Sequence, residues 1–234
     1  LQQLRVRMGI SSGVDACLHK NIPAQAGLGG GSSDAAAALV GGQLLWTGAY
    51  DAGLASELAS RLGSDLNFFL EGGGPNSWTA FCSGRGEVVE PLQWESDLVW
   101  LIVHPPLGCS TKDVFQLLQS DKNAWTGQPS PARAFCEQWL QPGSSWQGEG
   151  IRNRLQESAV RLNPWIDRIV NWLAAQAEVL GCGMTGSGSA CFGVLQTAEH
   201  AKRISDKICG QWDVRTYVTK QWRQPAIAHQ LNAP

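Results

Sequence analysis

Between Pro23 and Ala38 the chain reads Pro-Ala-Gln-Ala-Gly-Leu-Gly-Gly-Gly-Ser-Ser-Asp-Ala-Ala-Ala-Ala, with glycine at 27, 29, 30 and 31. Glycine takes backbone angles closed to other residues and lets a ligand approach the main chain closely. Ser32, Ser33 and Asp34 suit an N-cap or a first helical turn, and the alanines after them favour helix. The expected structure is a glycine loop opening directly into a helix. The free N–H groups and positive dipole end of such a helix suit an anion. The chemistry implied is phosphate binding; the plainer alternative is a flexible loop before an ordinary helix. No Gly-Lys-Ser/Thr follows the glycines, so the stretch is not a Walker P-loop. Gly27-Leu28-Gly29-Gly30-Gly31-Ser32 misses a dinucleotide fingerprint only at its last glycine. That fold needs a strand running straight into the first glycine, whereas Asn21 to Ala26, with Pro23, intervene. A second glycine-rich run, Gly183-Met184-Thr185-Gly186-Ser187-Gly188-Ser189, lies far downstream.

The elements that must position these loops follow from periodicity. Leu4, Val6, Met8 and Ile10 alternate with polar residues, the period of a half-buried strand. Val14 to His19 is the next candidate strand, after a turn at Ser11-Ser12-Gly13. A helix from about Ser33 carries Leu39, Val40, Leu44 and Leu45, with Gly41 and Gly42 permitting close packing. Asp51 caps a second helix that Gly63 stops. After a loop at Gly72-Gly73-Gly74-Pro75, Trp78 to Cys82 and Glu87 to Val89 form a hairpin turned by Gly84-Arg85-Gly86. Leu98 to Val103 is a continuous apolar strand of the kind buried on both faces. A helix from Ser110-Thr111-Lys112-Asp113 through Leu118 follows. The stretch from Ser120 to Gly150 is loop-rich, with a short helix near residues 132–140. Pro164 opens a helix from Trp165 to Leu180, stopped by Gly181. Ala190 to Leu195, Ala198 to Cys209 and Val214 to Thr219 then read as strand, helix and strand. Trp165 and Trp172 fit helical core spacing, and His104 reads as a strand-end residue. The change of character near residues 91–96 sets a boundary: domains at 1–95 and 96–222, and a loose tail at 223–234.

Composition narrows the function classes. At 43% hydrophobic and 16% charged residues, the 234-residue chain has a core to bury. A net charge of −2 without Lys/Arg clusters leaves no footprint for nucleic acid. The seven cysteines form no CxxC pair, which signals neither a zinc site nor a disulfide scaffold. Free thiols in a reducing cytoplasm are the simpler reading, and no apolar run is long enough to span a membrane. The sequence specifies no oligomeric state.

The first loop, Pro-x-x-x-Gly-Leu-Gly-Gly-Gly-Ser-Ser-Asp-Ala-Ala, resembles the central ATP-binding motif of the GHMP kinases, and Thr185-Gly186-Ser187-Gly188 resembles their third motif. The Gly-Gly-Gly form of the loop, Leu62-Gly63-Ser64-Asp65 and Ser83-Gly84-Arg85-Gly86-Glu87 resemble the branch whose substrate is an alcohol on a cytidyl diphosphate, in the non-mevalonate isoprenoid pathway. The resemblance runs from about residue 14 to 218. It implies an α+β, two-domain GHMP kinase fold, incomplete at its N-terminus, with a ferredoxin-like C-terminal α/β sandwich. It implies an ATP- and magnesium-dependent kinase for a small cytidyl-diphosphate alcohol. Pro23, Ala24, Gln25, Ala26, Gly27, Leu28, Gly29, Gly30, Gly31, Ser32 and Ser33 would bind the nucleotide. Asp65 would be the base that takes the substrate hydroxyl's proton, a role that a carboxylate at a helix start suits because it stays ionised there. Ser33 or Asp34 would help hold the metal, directly or through water, unless either merely caps the helix. Phe115 would stack on cytosine, or fill the core beside Leu118, and Thr185 and Gly186 would border the substrate. Lys20 could reach the nucleotide or simply stand in solvent.

Two features depart from the family pattern. Its first strand motif, with a lysine that pairs with the aspartate, and the Tyr-His residues after it have no counterpart before Leu1. The expectation is that several dozen residues are missing there, that a sheet edge and apolar surface are left exposed, and that these 234 residues alone turn over little or no ATP. Asn67 stands where relatives usually carry proline, which removes a pre-set helix-start angle beside Asp65. Three other readings stay open: a GHMP kinase for a different alcohol, a nucleotide-binding remnant without turnover, and a dinucleotide-binding oxidoreductase.

Overall fold

A computed structural model describes residues 1–71, 79–93, 96–120, 132–139 and 150–221. The expected Gly72–Pro75 loop, Trp78 at the head of its strand, most of the 120–150 loop region and the 224–234 tail lie outside the described residues. Contacts divide the chain into two compact units. Leu1–Asn21 and Gly29–Glu95 belong to the first; Ile22–Leu28 and Ser96–Gln221 belong to the second.

In the first unit, helices α1 (Gln2–Arg7), α2 (Gly30–Thr47), α3 (Ala52–Leu62) and α4 (Leu66–Glu71) are followed by an antiparallel hairpin of β1 (Ala80–Ser83) and β2 (Val88–Pro91). The strand expected over residues 1–10 is a helix instead. Its alternation does not separate two faces, because Leu4 is buried while Val6 is 72% exposed. The backbone bonds locally, Arg5 N–H to Leu1 O and Met8 N–H to Leu4 O, and Gln and Arg are good helix formers. Residues 10–21 form no strand either. Gly42 allows the α1–α2 contact, since a Cβ there would lie 2.9 Å from Leu4 Cδ2. Asp51 caps α3 as expected, its Oδ1 accepting from Leu54 N–H at 2.9 Å. α3 ends at Gly63, though with extended backbone (φ 179°) and not a left-handed cap. Glycine is needed there for room: a Cβ would stand 2.9 Å from Leu66 Cδ1. Leu39, Val40, Ala55, Leu58, Leu66 and Leu70 close this unit's core around Leu4, whereas Leu45, expected on the buried stripe of α2, is exposed.

The second unit carries β3 (Val99–His104), α5 (Thr111–Ser120), α6 (Ala132–Trp139), α7 (Gln156–Leu162), α8 (Trp165–Ala174), β4 (Gly181–Met184), β5 (Cys191–Leu195), α9 (Ala198–Gln211) and β6 (Arg215–Lys220). The sheet order is β4-β5-β3-β6, antiparallel throughout. Numbered within the unit, that is strand order 2-3-1-4, the ferredoxin-like arrangement. β3 is buried by alternation and not on both faces: Val99, Leu101 and Val103 are fully covered, while Trp100 and Ile102 are half-buried. The buried residues pack with Ile166, Ile169 and Leu173 of α8 and with Ala201, Ile204 and Ile208 of α9. The i, i+3, i+7 spacing in each helix sets one apolar stripe against the sheet. α8 stops at Ala174, short of the expected Leu180, and its last turn is followed by a tight turn from Leu173 O to Gln176 N–H. The chain then needs Gly181–Met184 as a strand against β5, a role invisible in so glycine-rich a segment. Trp165 and Trp172 pack as expected, both edge-on to Trp212 at 5.9 Å.

Candidate active site

The two halves of the first glycine loop are held differently. Ile22–Leu28 packs within the second unit, against the Thr185–Ala190 turn. Gln25 O accepts from Cys109 N–H (3.2 Å) and Ser189 N–H (3.3 Å), which holds Gln25 in a left-handed conformation (φ 54°) that non-glycine residues rarely adopt. Ala26 O accepts from Ala190 N–H at 3.0 Å, and Thr185 Oγ1 donates to Gly27 O at 2.9 Å. Gly27 (φ 69°) admits no side chain, because a Cβ would lie 2.2 Å from Thr185 O. Gly186 (φ 53°) is equally constrained, its Cβ position 2.7 Å from Gly27 O. Asn153, which nothing in the sequence marked, steadies the turn from beneath. Its Nδ2 donates to Met184 O (2.9 Å) and Gly186 O (2.7 Å).

From Gly29 onward the loop belongs to the first unit and begins α2. The helix starts at Gly30, three residues before the expected Ser33. Its N-cap is Gly29 in the left-handed region (φ 65°), with no capping side chain. The first cap-type bond is Ser33 N–H to Gly29 O at 2.9 Å, so helix geometry leaves the N–H groups of Gly30, Gly31 and Ser32 without an intrahelical acceptor. A Cβ on Gly31 would meet nothing within 4 Å. An uncapped amide cluster, open on its Gly31 side, is what an anion can use. Ser33 Oγ donates to Gly30 O at 2.9 Å, which leaves its own lone pairs as acceptors. Lys20 is not free in solvent: its Nζ forms an ion pair with the Asp34 carboxylate, at the fifth residue of α2.

Asp65 stands just before α4, where Ser64 Oγ donates to its Oδ1 at 3.1 Å. The β1–β2 turn lies against it. Gly86 (φ 120°) approaches so closely that a Cβ would be 3.2 Å from Ser64 O and 3.4 Å from Asp65 Oδ1. Cys82 on β1 shares this surrounding: burial pushes its thiol up, and the Asp65 carboxylate adds to the shift. Asn67 is buried, and its Nδ2 donates to Ser60 Oγ and Glu87 O, both at 2.9 Å.

Residues 1–83 match the GHMP kinases N terminal domain, and residues 134–214 match the GHMP kinases C terminal domain. A 4-diphosphocytidyl-2-C-methyl-D-erythritol kinase of Pelotomaculum thermopropionicum is 37% identical over 203 residues, covering 86% of this chain and 67% of the relative. Its counterpart from a Synechococcus strain is 35% identical over 218 residues, covering 90% and 68%. The chain belongs to the 4-diphosphocytidyl-2-C-methyl-D-erythritol kinase family of GHMP kinases. A solved structure described as a 4-(cytidine 5'-diphospho)-2C-methyl-D-erythritol kinase superposes with a TM-score of 0.69 at 31% identity, covering 93% of this chain and 75% of that one.

The remaining candidate residues sort by their surroundings. Phe115 is 42% exposed on α5, while Val114 and Leu118 take the buried face, so it does not fill the core. Thr185 and Gly186 are engaged with Gly27, as above. His104 ends β3 in a buried position, and burial together with the Arg215 charge lowers its basicity. Among the described residues no group of three His, Cys, Asp or Glu could hold a metal ion by itself. Also among them, no helix is long and apolar enough to cross a membrane.

Proposed function

We propose that this chain is an ATP-dependent kinase for the 2-hydroxyl of 4-diphosphocytidyl-2-C-methyl-D-erythritol, acting in the reducing cytoplasm on the path to isoprenoid precursors. The observation that carries the reading is the start of α2: an uncapped glycine helix terminus with open space at Gly31, in a chain 37% identical to a kinase of that name. Residues 23–33 receive the nucleotide, with the amides of Gly30, Gly31 and Ser32 facing phosphate oxygens. Magnesium, when bound, neutralises charge on the nucleotide phosphates. Ser33 fits it through the lone pairs left on an oxygen whose proton goes to Gly30 O, and Asp34, paired with Lys20, is the carboxylate that follows it in α2.

Asp65 is the general base. The substrate hydroxyl gives its proton to the Asp65 carboxylate while its oxygen attacks the γ-phosphorus. The bond from that phosphorus to the bridging oxygen breaks, and ADP leaves with the electron pair. Ser64 Oγ, donating to Oδ1, leaves Oδ2 as the proton acceptor. Phe115 offers an exposed ring for stacking on cytosine, and Thr185 and Gly186 border the substrate while fixing Gly27. Residues 1–95 form the nucleotide-binding domain and 96–222 the second domain, with Ile22–Leu28 packed in the latter. The test is ADP release and phosphorus NMR with ATP and the cytidyl substrate. Phosphoryl transfer supports the reading and overturns the expectation of little or no turnover, and it falls roughly 10²–10⁴-fold in Asp65→Asn. ATP binding without transfer would leave a nucleotide-binding remnant, and transfer only to another alcohol would reassign the substrate.

A further inference from the structure

The turn Gly84–Glu87 is fastened to the first unit by more polar bonds than a hairpin turn requires. Arg85 Nη2 donates to Ser60 O at 3.1 Å, at the end of α3. Arg85 N–H donates to Glu87 Oε2 at 2.6 Å, and the guanidinium lies 3.8 Å from the other carboxylate oxygen. Asn67 Nδ2 ties Ser60 Oγ to Glu87 O. α3, α4 and the turn thus share one hydrogen-bonded knot, with Asp65 between Gly63 at the end of α3 and the start of α4.

We infer that Asn67, Arg85 and Glu87 form a latch that presses Gly86 onto Ser64 and Asp65, making them positioning residues for the Asp65 carboxylate. The inference rests on Asp65 being the base. Two of its bonds join the turn to the α3–α4 segment, Arg85 Nη2 to Ser60 O and Asn67 Nδ2 to Glu87 O, and both involve residues within five positions of Asp65. At their centre stands Gly86, whose left-handed backbone strains any side chain and whose Cβ position, 3.2 Å from Ser64 O, would crowd that carbonyl. Holding a base in its productive geometry is worth a large rate factor, because small displacements in a reacting pair are costly. Asn67 accordingly does here what a proline could not: it donates two hydrogen bonds from a buried amide.

The test compares Asp65→Asn, Gly86→Ala, Asn67→Asp and Arg85→Lys in the whole chain. Asn67→Asp keeps the shape but places acceptors against Ser60 Oγ and Glu87 O. The expected result is a kcat at least about tenfold lower in Gly86→Ala and Asn67→Asp. KM for ATP stays within about twofold, and Arg85→Lys retains an intermediate kcat. A second readout needs no turnover: alkylation of Cys82, resolved by peptide mass. Removing the neighbouring charge in Asp65→Asn speeds it, and so does releasing the turn in Gly86→Ala and Asn67→Asp. If Asp65→Asn abolishes turnover while the latch variants match the parent in kcat and Cys82 reactivity, the latch is wrong and the base stands. If Asp65→Asn turns over normally, the base assignment falls and takes the latch with it. A kcat loss that merely tracks a lower melting temperature, unmoved by Arg85→Lys, also overturns the latch.

Discussion

Gly27 and Gly31 sit four residues apart in one motif, and the structure uses them in opposite ways. Gly27 is glycine because something is too close: the Thr185 carbonyl occupies the space of a side chain, and Thr185 Oγ1 grips the Gly27 carbonyl. Gly31 is glycine with nothing near it, at the uncapped start of α2. The first half of the loop is therefore a packing element of the second unit, and the latter half is an open helix terminus of the first. A motif that looks uniform on the page combines a fastening and an opening.

Substitutions can break or sharpen this contrast. The largest effect is expected from Gly27→Ala, which meets both a carbonyl and a left-handed backbone. Chemical denaturation should show a loss of at least ~3 kcal/mol. A loss under 1 kcal/mol would mean that the loop moves aside and the fastening is weak. Thr185→Val removes the hydroxyl from Gly27 O and should cost about 1 kcal/mol in the same measurement. Gly31→Ala has the reverse sign. Alanine in a first helical turn adds about 0.5–1 kcal/mol of stability, yet calorimetry should find ATP bound roughly tenfold more weakly as a methyl group enters the open space. Unchanged ATP affinity there would remove the binding role of the opening. The smallest effect concerns pH and falls on the second unit. His104 has a folded basicity below its usual value, so folding favours its neutral form. Its contribution is complete above the unfolded value of about 6.5 and is lost as pH falls toward the lower folded one. His104→Asn should flatten the acid side of a melting-temperature profile between about pH 7 and 5.

Where the sequence was legible, the signal was local. Asp51 capping α3 and the Gly84–Gly86 turn both act within a few residues. The glycine loop stood out for the same reason, whereas Asp65 was singled out by the resemblance of its motif to the family's. Where reading failed, the deciding partner was remote. Leu4, Val6, Met8 and Ile10 have a strand's alternation, but packing against Gly42 makes Leu4 the buried member of a helix. Gly181 and Gly183 have no strand propensity, and only pairing with Val194 and Phe192 makes them one. Asn153 carries no local mark of its hold on the Thr185 turn, because that hold spans 31 residues or more of chain.

The sequence by itself determined that a glycine loop opens into a helix, that an apolar strand anchors a second unit, and that the motifs belong to the GHMP kinases. Those facts rest on backbone freedom, periodicity and residue order, which need no fold to act. Only the tertiary structure decided which glycines are crowded and which is open, that Lys20 pairs with Asp34, and that Asn67 binds the hairpin turn beside Asp65. Each depends on what a second segment brings within a few ångströms.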